Sequence, residues 1–327
     1  MTPEQLSDAA SKAGFLPESY EKVHALVELL DLLAAHPVTA NRLALKGGTA
    51  LNVFVFDLPR LSVDIDLNFV GVTKREEMLA ERPRIETAIE QIASRLRYRV
   101  VKKPKPDVFA GGKWILGYTG AAGGNGSLEV DIVYTLRTPL WPVSKRTSRT
   151  VAGKTATVDV LDDHELAAGK LAATVARSAS RDVFDARALL KETRLDDEKL
   201  RLGFTLYGSW NIVDWLTVTP ESVTTTPKDV LEQLAPLLQA SNRPDKSTVK
   251  AWTKDLLDET HALMKRLLPL REHEREFIAR VNTKGEIAPE LLTSDASMQA
   301  LIRAHAHLNW KVKNVKDRIA GKAAKGD

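Results

Sequence analysis

The stretch that most restricts this chain is Arg60-Leu61-Ser62-Val63-Asp64-Ile65-Asp66-Leu67, with Leu45-Lys46-Gly47-Gly48-Thr49-Ala50-Leu51 ahead of it. In a strand, residues i and i+2 project from one face. Asp64 and Asp66 then point one way, and Ile65 and Leu67 point the other way into a core. Two carboxylates at that spacing repel unless a cation lies between them. Mg²⁺ suits the position, because it takes carboxylate oxygens and substrate phosphates together. The Gly47-Gly48-Thr49 turn ends fifteen residues before Asp64. Glycines let a backbone approach a phosphate with no Cβ in the way, and Thr49 can add a hydroxyl donor. Asp-x-Asp alone also fits a solvated strand end after a turn. The glycine turn and the interleaved apolar residues favour chemistry.

The rest of the chain divides by periodicity. Helical spacing covers 18–35, and a strand at 43–46 leads into the turn, followed by a short helix over 49–56. The carboxylate strand spans 61–70. A helix is expected over 75–96, with Pro83 as a restart point. Alternation predicts strands at 98–102, 113–118, 127–134 and 155–160. Glu129 and Asp131 share a face of the third of these. Lys145-Arg146-Thr147-Ser148-Arg149 reads as a basic, hydroxyl-rich loop able to hold a nucleic-acid backbone, or as a solvated loop. The glycines at 123, 124 and 126 form a hairpin turn. Gly153-Lys154-Thr155 lacks the upstream glycine of a phosphate loop, since Ser148 stands there. From Asp162-Asp163 the chain is helical, with helices at 164–176, from 181, and over 228–239, 248–268, 271–281 and 297–319. His305 and His307, two apart on a helix, diverge and make no metal pair.

There is no cysteine, so thiolate chemistry, disulfides and zinc–cysteine sites are excluded. That suits a cytoplasmic protein, and no apolar run reaches the roughly 20 residues of a membrane span. The net charge of +4 is uneven. Residues 301–327 hold seven Lys/Arg against two Asp, and the other 300 residues hold 40 basic against 41 acidic. A basic tail carrying Lys311, Lys313 and Lys316 fits RNA, and equally a solvated helix end.

The pattern Gly-Gly-Thr-Ala-Leu…Arg-x-Ser-x-Asp-Ile-Asp-Leu resembles the first motif of the polymerase-β-type nucleotidyltransferases. More narrowly it resembles the AbiEii family, nucleotidyltransferase toxins of toxin–antitoxin and abortive-infection systems. Two later segments add to the resemblance: Glu165-Leu166…Lys170-Leu171, and Arg181-Asp182-Val183-Phe184-Asp185. The resemblance covers roughly residues 40–190. It implies an α/β-plus-α fold, with a polymerase-β-like domain on a small mixed sheet over 1–160. A helical lobe over 161–327 follows, completing the nucleotide site and carrying the basic helix. It implies Asp131 as the third carboxylate, Lys170 directed at the triphosphate, and Asp182 as a further functional aspartate. Lys46, Gly47, Gly48, Thr49 and Ser62 would contact the nucleotide. Arg60, Arg181 and Asp185 would support, with Asp185 orienting Arg181 or Lys170 by an ion pair.

The expected reaction moves NMP from an NTP to an acceptor hydroxyl, with two Mg²⁺ ions. The expected acceptor is the 3′ end of tRNA, blocking translation and growth, and a neighbouring gene would supply an antitoxin. Two other readings stand beside it: the same chemistry on a protein or small-molecule hydroxyl, and a non-catalytic RNA-binding module on the same fold.

Overall fold

The computed structural model describes residues 2–105 and 110–323, so Lys325 and Asp327 of the basic tail lie outside the described residues. The chain forms two compact units, one of 1–137, 142–162 and 231–248, the other of 138–141, 163–230 and 249–327. The expected boundary near 160 is therefore crossed more than once.

The first unit begins with α1 (Pro3–Ala13) and α2 (Pro17–Ala35). Its strands are β1 (Leu43–Lys46), β2 (Asp64–Phe69), β3 (Arg99–Lys102), β4 (Gly111–Thr119), β5 (Asn125–Val133), β6 (Ser144–Thr147) and β7 (Thr157–Val160). They form one mixed seven-stranded sheet in the order β3-β4-β5-β2-β1-β7-β6, with β2/β5 and β1/β7 parallel. Ile65, Leu67 and Phe69 of β2 are buried, as are Trp114, Leu116, Leu128, Val130 and Ile132 beside them. A slip of one residue would expose the three β2 side chains and bury both aspartates. Each apolar side chain contributes about 1.5–3 kcal/mol, so a slip would forfeit most of a domain's net stability. Helix α2 packs on β5 and β7, and α3 (Arg75–Arg95) on α2 and β3. Helix α3 runs through Pro83 without a break. The sheet is larger than the small one expected, because 144–147 is an edge strand rather than a loop.

The 231–248 stretch reads as a helix over 228–239 from its sequence, but it folds as short turns. The Leu61 N–H donates to the Leu237 carbonyl at 2.8 Å, and Arg60 bridges Leu238. That tether holds residues 60–63 outside the sheet, which is why β2 starts at Asp64 rather than at 61.

The second unit contains α4 (Asp163–Ala176), α5 (Ser180–Glu192), α6 (Asp197–Ser209), α7 (Val249–Met264), α8 (Glu272–Ala279), α9 (Ala296–Ala304) and α10 (Ala306–Ala323). Helix α4 packs on α5 and α6 around Leu171, Val183, Leu189 and Phe204. The single helix expected over 297–319 is broken at His305, whose buried ring stacks on Trp210 at 5.0 Å. His307 also lies against Trp210, at 5.1 Å. Among the described residues, no helix is long and apolar enough to cross a membrane.

Candidate active site

The strand register aligns four charged side chains in a row across four strands. Lys46 of β1 stands beside Asp66 of β2, Asp66 beside Asp131 of β5, and Asp131 beside Lys113 of β4. Register partners share a face, so all four lie opposite the apolar core. In the adjacent row, Asp64 stands beside Glu129. Asp64, Asp66 and Asp131 are half-buried. Two carboxylates about 5 Å apart repel by about 3 kcal/mol at an effective dielectric of about 20. A fold keeps such a row when cations share it, and here lysines close both ends.

Lys113 is a participant that the sequence reading missed. It donates to the Glu129 carboxylate at 2.6 Å. That bond holds its ammonium above the usual lysine range, with the Asp131 and Asp64 charges adding and burial opposing. The same bond holds Glu129 below the usual carboxylate range. Glu129 is thus committed to Lys113.

The glycine turn lies directly on the carboxylate strand. Gly47 has φ +71°, the left-handed region that favours glycine, and a Cβ there would stand 2.3 Å from Asp66 Oδ2. A Cβ on Gly48 would stand 2.8 Å from Ser62 Oγ and 3.0 Å from Arg60 Nη2. The helical segment starts on the glycines themselves, at Gly47–Thr49, and widens into a π-turn over Ala50–Val55. The Thr49 hydroxyl, expected to face a phosphate, is fully buried and donates to the Asp64 carbonyl at 2.5 Å. It braces the strand from behind. The Asn52 amide donates to the Gly48 carbonyl at 2.9 Å, and buried Arg60 donates to the Leu61 carbonyl at 2.7 Å. The phosphate-binding groups that such a turn offers are backbone N–H groups, since a helix's first turn leaves them without intrahelical acceptors.

Replacing Gly47 by alanine is expected to cost about 1–2 kcal/mol for the left-handed backbone. It would also push the Asp66 carboxylate aside. Displacement by about 1 Å costs on the order of 10²-fold in rate. Thermal melting and the rate of nucleotide transfer, measured on the same Gly47→Ala preparation, check both effects.

Among the described residues, no group of three or more His, Cys, Asp or Glu side chains converges on a metal position. The donors nonetheless fit Mg²⁺. Asp64, Asp66 and Asp131 are hard oxygen ligands on one face, and Gly47 leaves open the space against Asp66 Oδ2 that a Cβ would fill. Mg²⁺ characteristically binds through one or two carboxylates completed by substrate phosphates rather than in an all-protein cage.

The later candidates form a separate cluster in the helical unit. Lys170 of α4 is buried, with its Nζ 2.8 Å from Asp182 Oδ1 and 3.0 Å from Asp185 Oδ2. Arg177, which the sequence reading did not single out, sits 2.8 Å from the other Asp182 oxygen. The Thr174 hydroxyl bonds the carbonyls of Lys170 and Asp182, at 2.9 and 3.1 Å, tying α4 to the first turn of α5. Asp185 is fully buried on Lys170, and Arg181 is half-buried beside Asp182 in sequence.

The basic residues separate by environment. Lys145 and Arg146 lie on edge strand β6, not on a loop. Lys145 is 3.3 Å from Asp159. Arg149 is 3.3 Å from Asp57 and donates to the Phe56 carbonyl. Lys311, Lys313 and Lys316 lie on α10.

Comparison with known proteins agrees with this geometry. A search of curated proteins gives no match. Among solved structures, the fold is similar to that of MenT4, a nucleotidyltransferase toxin from Mycobacterium tuberculosis. The TM-score is 0.59 at 18% sequence identity, over 94% of this chain and 99% of that one. The family model described as nucleotidyl transferase AbiEii toxin, type IV toxin–antitoxin system, matches residues 31–312. The match takes in the carboxylate face and the lysine–aspartate cluster alike, and the chain belongs to the AbiEii family of nucleotidyltransferase toxins.

Proposed function

We propose that this chain transfers a nucleoside monophosphate from an NTP to a hydroxyl at the 3′ end of tRNA, and so blocks translation in the cytoplasm. The observation that carries the reading is the row Lys46–Asp66–Asp131–Lys113 with the Gly47 cradle against Asp66. The backbone of Gly47, Gly48 and Thr49 receives the phosphates, with Lys46 and Ser62 adding contacts. Asp64, Asp66 and Asp131 hold Mg²⁺, which supplies positive charge to the attacking and leaving oxygens of the displacement. Asp131 accepts the proton of the acceptor hydroxyl. The oxygen then bonds the α-phosphorus, the bond to the bridging oxygen breaks, and pyrophosphate leaves. Arg60 holds the strand entry in place. Lys170 and Asp182 belong to the proposal as residues that the reaction requires, with Asp185 and Arg181 supporting them. An antitoxin from a neighbouring gene opposes the activity.

The test is incubation with Mg²⁺, total tRNA and each α-phosphate-labelled NTP in turn, for wild type and Asp64→Asn. Label on tRNA with wild type alone, abolished by a chelator, is the expected result and names the nucleotide. Label on protein would move the acceptor to a side-chain hydroxyl. RNA binding that is unchanged in Asp64→Asn, with no pyrophosphate released by wild type, would leave a binding module.

A further inference from the structure

Helix α10 lines an open groove of about 410 Å³ in the helical unit. Its walls include Lys284, Arg303 and Lys316, and its floor includes Ile287 and Val312. Gly285 has φ +62°, and a Cβ there would lie 2.8 Å from Lys316 Cγ, so the lysine stem crosses the glycine. The acidic residues nearby have cation partners. Glu286 is 3.3 Å from Arg280, and Glu290 is 2.8 Å from Arg303. Among the described residues, no ion pair within 4 Å is seen for Lys284 or Lys316. The three α10 lysines therefore differ. Lys313 is paired with Asp317 at 2.7 Å, and Lys311 is half-buried with Arg318 as its charged neighbour. Lys316 faces the groove.

An aromatic ladder ends beside it. Tyr207 lies on Trp210 at 4.9 Å, Trp210 on His307 at 5.1 Å, and His307 on Trp310 at 5.4 Å. Trp310 follows the groove residue Asn309 and is 49% exposed, so the ladder leads from a packed interior to an open ring. An exposed indole held by stacked neighbours loses little freedom when a base stacks on it. Cations along a groove with an aromatic ring at its margin are what single-stranded nucleic acid requires.

We propose that this groove binds single-stranded RNA, with Lys284, Arg303 and Lys316 on phosphates and Trp310 under a base. Resting on the tRNA reading above, it is the docking surface for the acceptor's unpaired end. Side chains alone specify a strand with phosphates at one edge and an unstacked base at the other. An acidic peptide would satisfy the lysines and leave the indole without a ring to stack on.

The test is binding of a fluorescein-labelled 12-nucleotide RNA to the full chain, with tRNA labelling measured in parallel. The variants are Lys284→Glu/Lys316→Glu, Trp310→Ala, and the exposed control Lys12→Glu/Lys246→Glu, which makes the same change in net charge. The expected result is binding weakened about ten-fold or more by the groove pair and about five-fold by Trp310→Ala, with the control near wild type. The salt dependence becomes shallower for the groove pair alone. KM for tRNA rises while kcat holds. Groove variants that bind RNA as wild type does would overturn the inference, even if wild type labels tRNA. A wild type that labels no tRNA, yet loses RNA binding in the groove variants, keeps the groove and discards the acceptor. Loss of binding to a glutamate-rich peptide, with RNA binding intact, would also overturn it.

Discussion

Asp66→Asn abolishes nucleotide transfer, by on the order of 10³-fold or more, and leaves the protein folded. The substitution keeps the shape of the side chain and removes one negative charge from the middle of the row. Lys46 and Asp131 flank that charge in register, and Gly47 leaves the space against it open. A purely structural carboxylate held by two cations would destabilise the sheet when neutralised. Here Asp66 also faces Asp131, so neutralising it removes a repulsion while losing an attraction to Lys46. Stability should move by less than about 1 kcal/mol, the range of exposed ion pairs. The contrast is Glu129→Gln, in the neighbouring row. Glu129 is bonded to Lys113 and partly exposed, so its loss should leave activity within a few-fold of wild type. Rates and melting curves for both variants decide the matter. Equal losses in the two would mean that the sheet face needs its total charge rather than Asp66 in particular. Activity within ten-fold of wild type in Asp66→Asn would remove Asp66 from the site.

The carboxylate face was legible because its signal is local. Asp64 and Asp66 sit two apart among apolar residues, and period-two alternation fixes their common face whatever the topology. Asp131 is the partner of Asp66 through parallel pairing of β2 with β5. No sequence spacing states that pairing, and a resemblance had to supply it. Lys113 was hidden for the same reason, since its place opposite Asp131 is a register fact. The Thr49 hydroxyl was read towards a ligand, while the fold spends it on the Asp64 carbonyl. A buried hydroxyl takes the nearest acceptor, and local sequence does not show what lies behind a turn. The 228–239 stretch has helical spacing, but Pro236 removes a donor and the Leu61–Leu237 bond binds the chain to the strand entry. Tertiary pairing won over local periodicity there. Helix α6 was missed although it carried a usable sign, Asp196, whose carboxylate accepts from the Lys199 N–H at 2.9 Å.

Lys170→Met is expected to destabilise the protein by about 3–5 kcal/mol, because it removes the cation from a buried pair of carboxylates. Side-chain exposures of 8% for Lys170, 8% for Asp182 and 0% for Asp185 leave little solvent to share the charge. Arg177 stays on Asp182, so Asp185 bears most of the loss. Adding Asp185→Asn should therefore return half or more of the stability, because the remaining site is neutral where it is deepest. Denaturant melts of the single and double variants read this directly. Activity then separates two roles that the geometry joins. If Lys170 takes part in the reaction, the double variant is stable and inactive. If Lys170 serves to neutralise Asp182 and Asp185, the double variant recovers both stability and nucleotide transfer. A full return of activity would reduce the cluster to a brace between α4 and α5. Stability without activity would make Lys170 a participant whose position the two aspartates set.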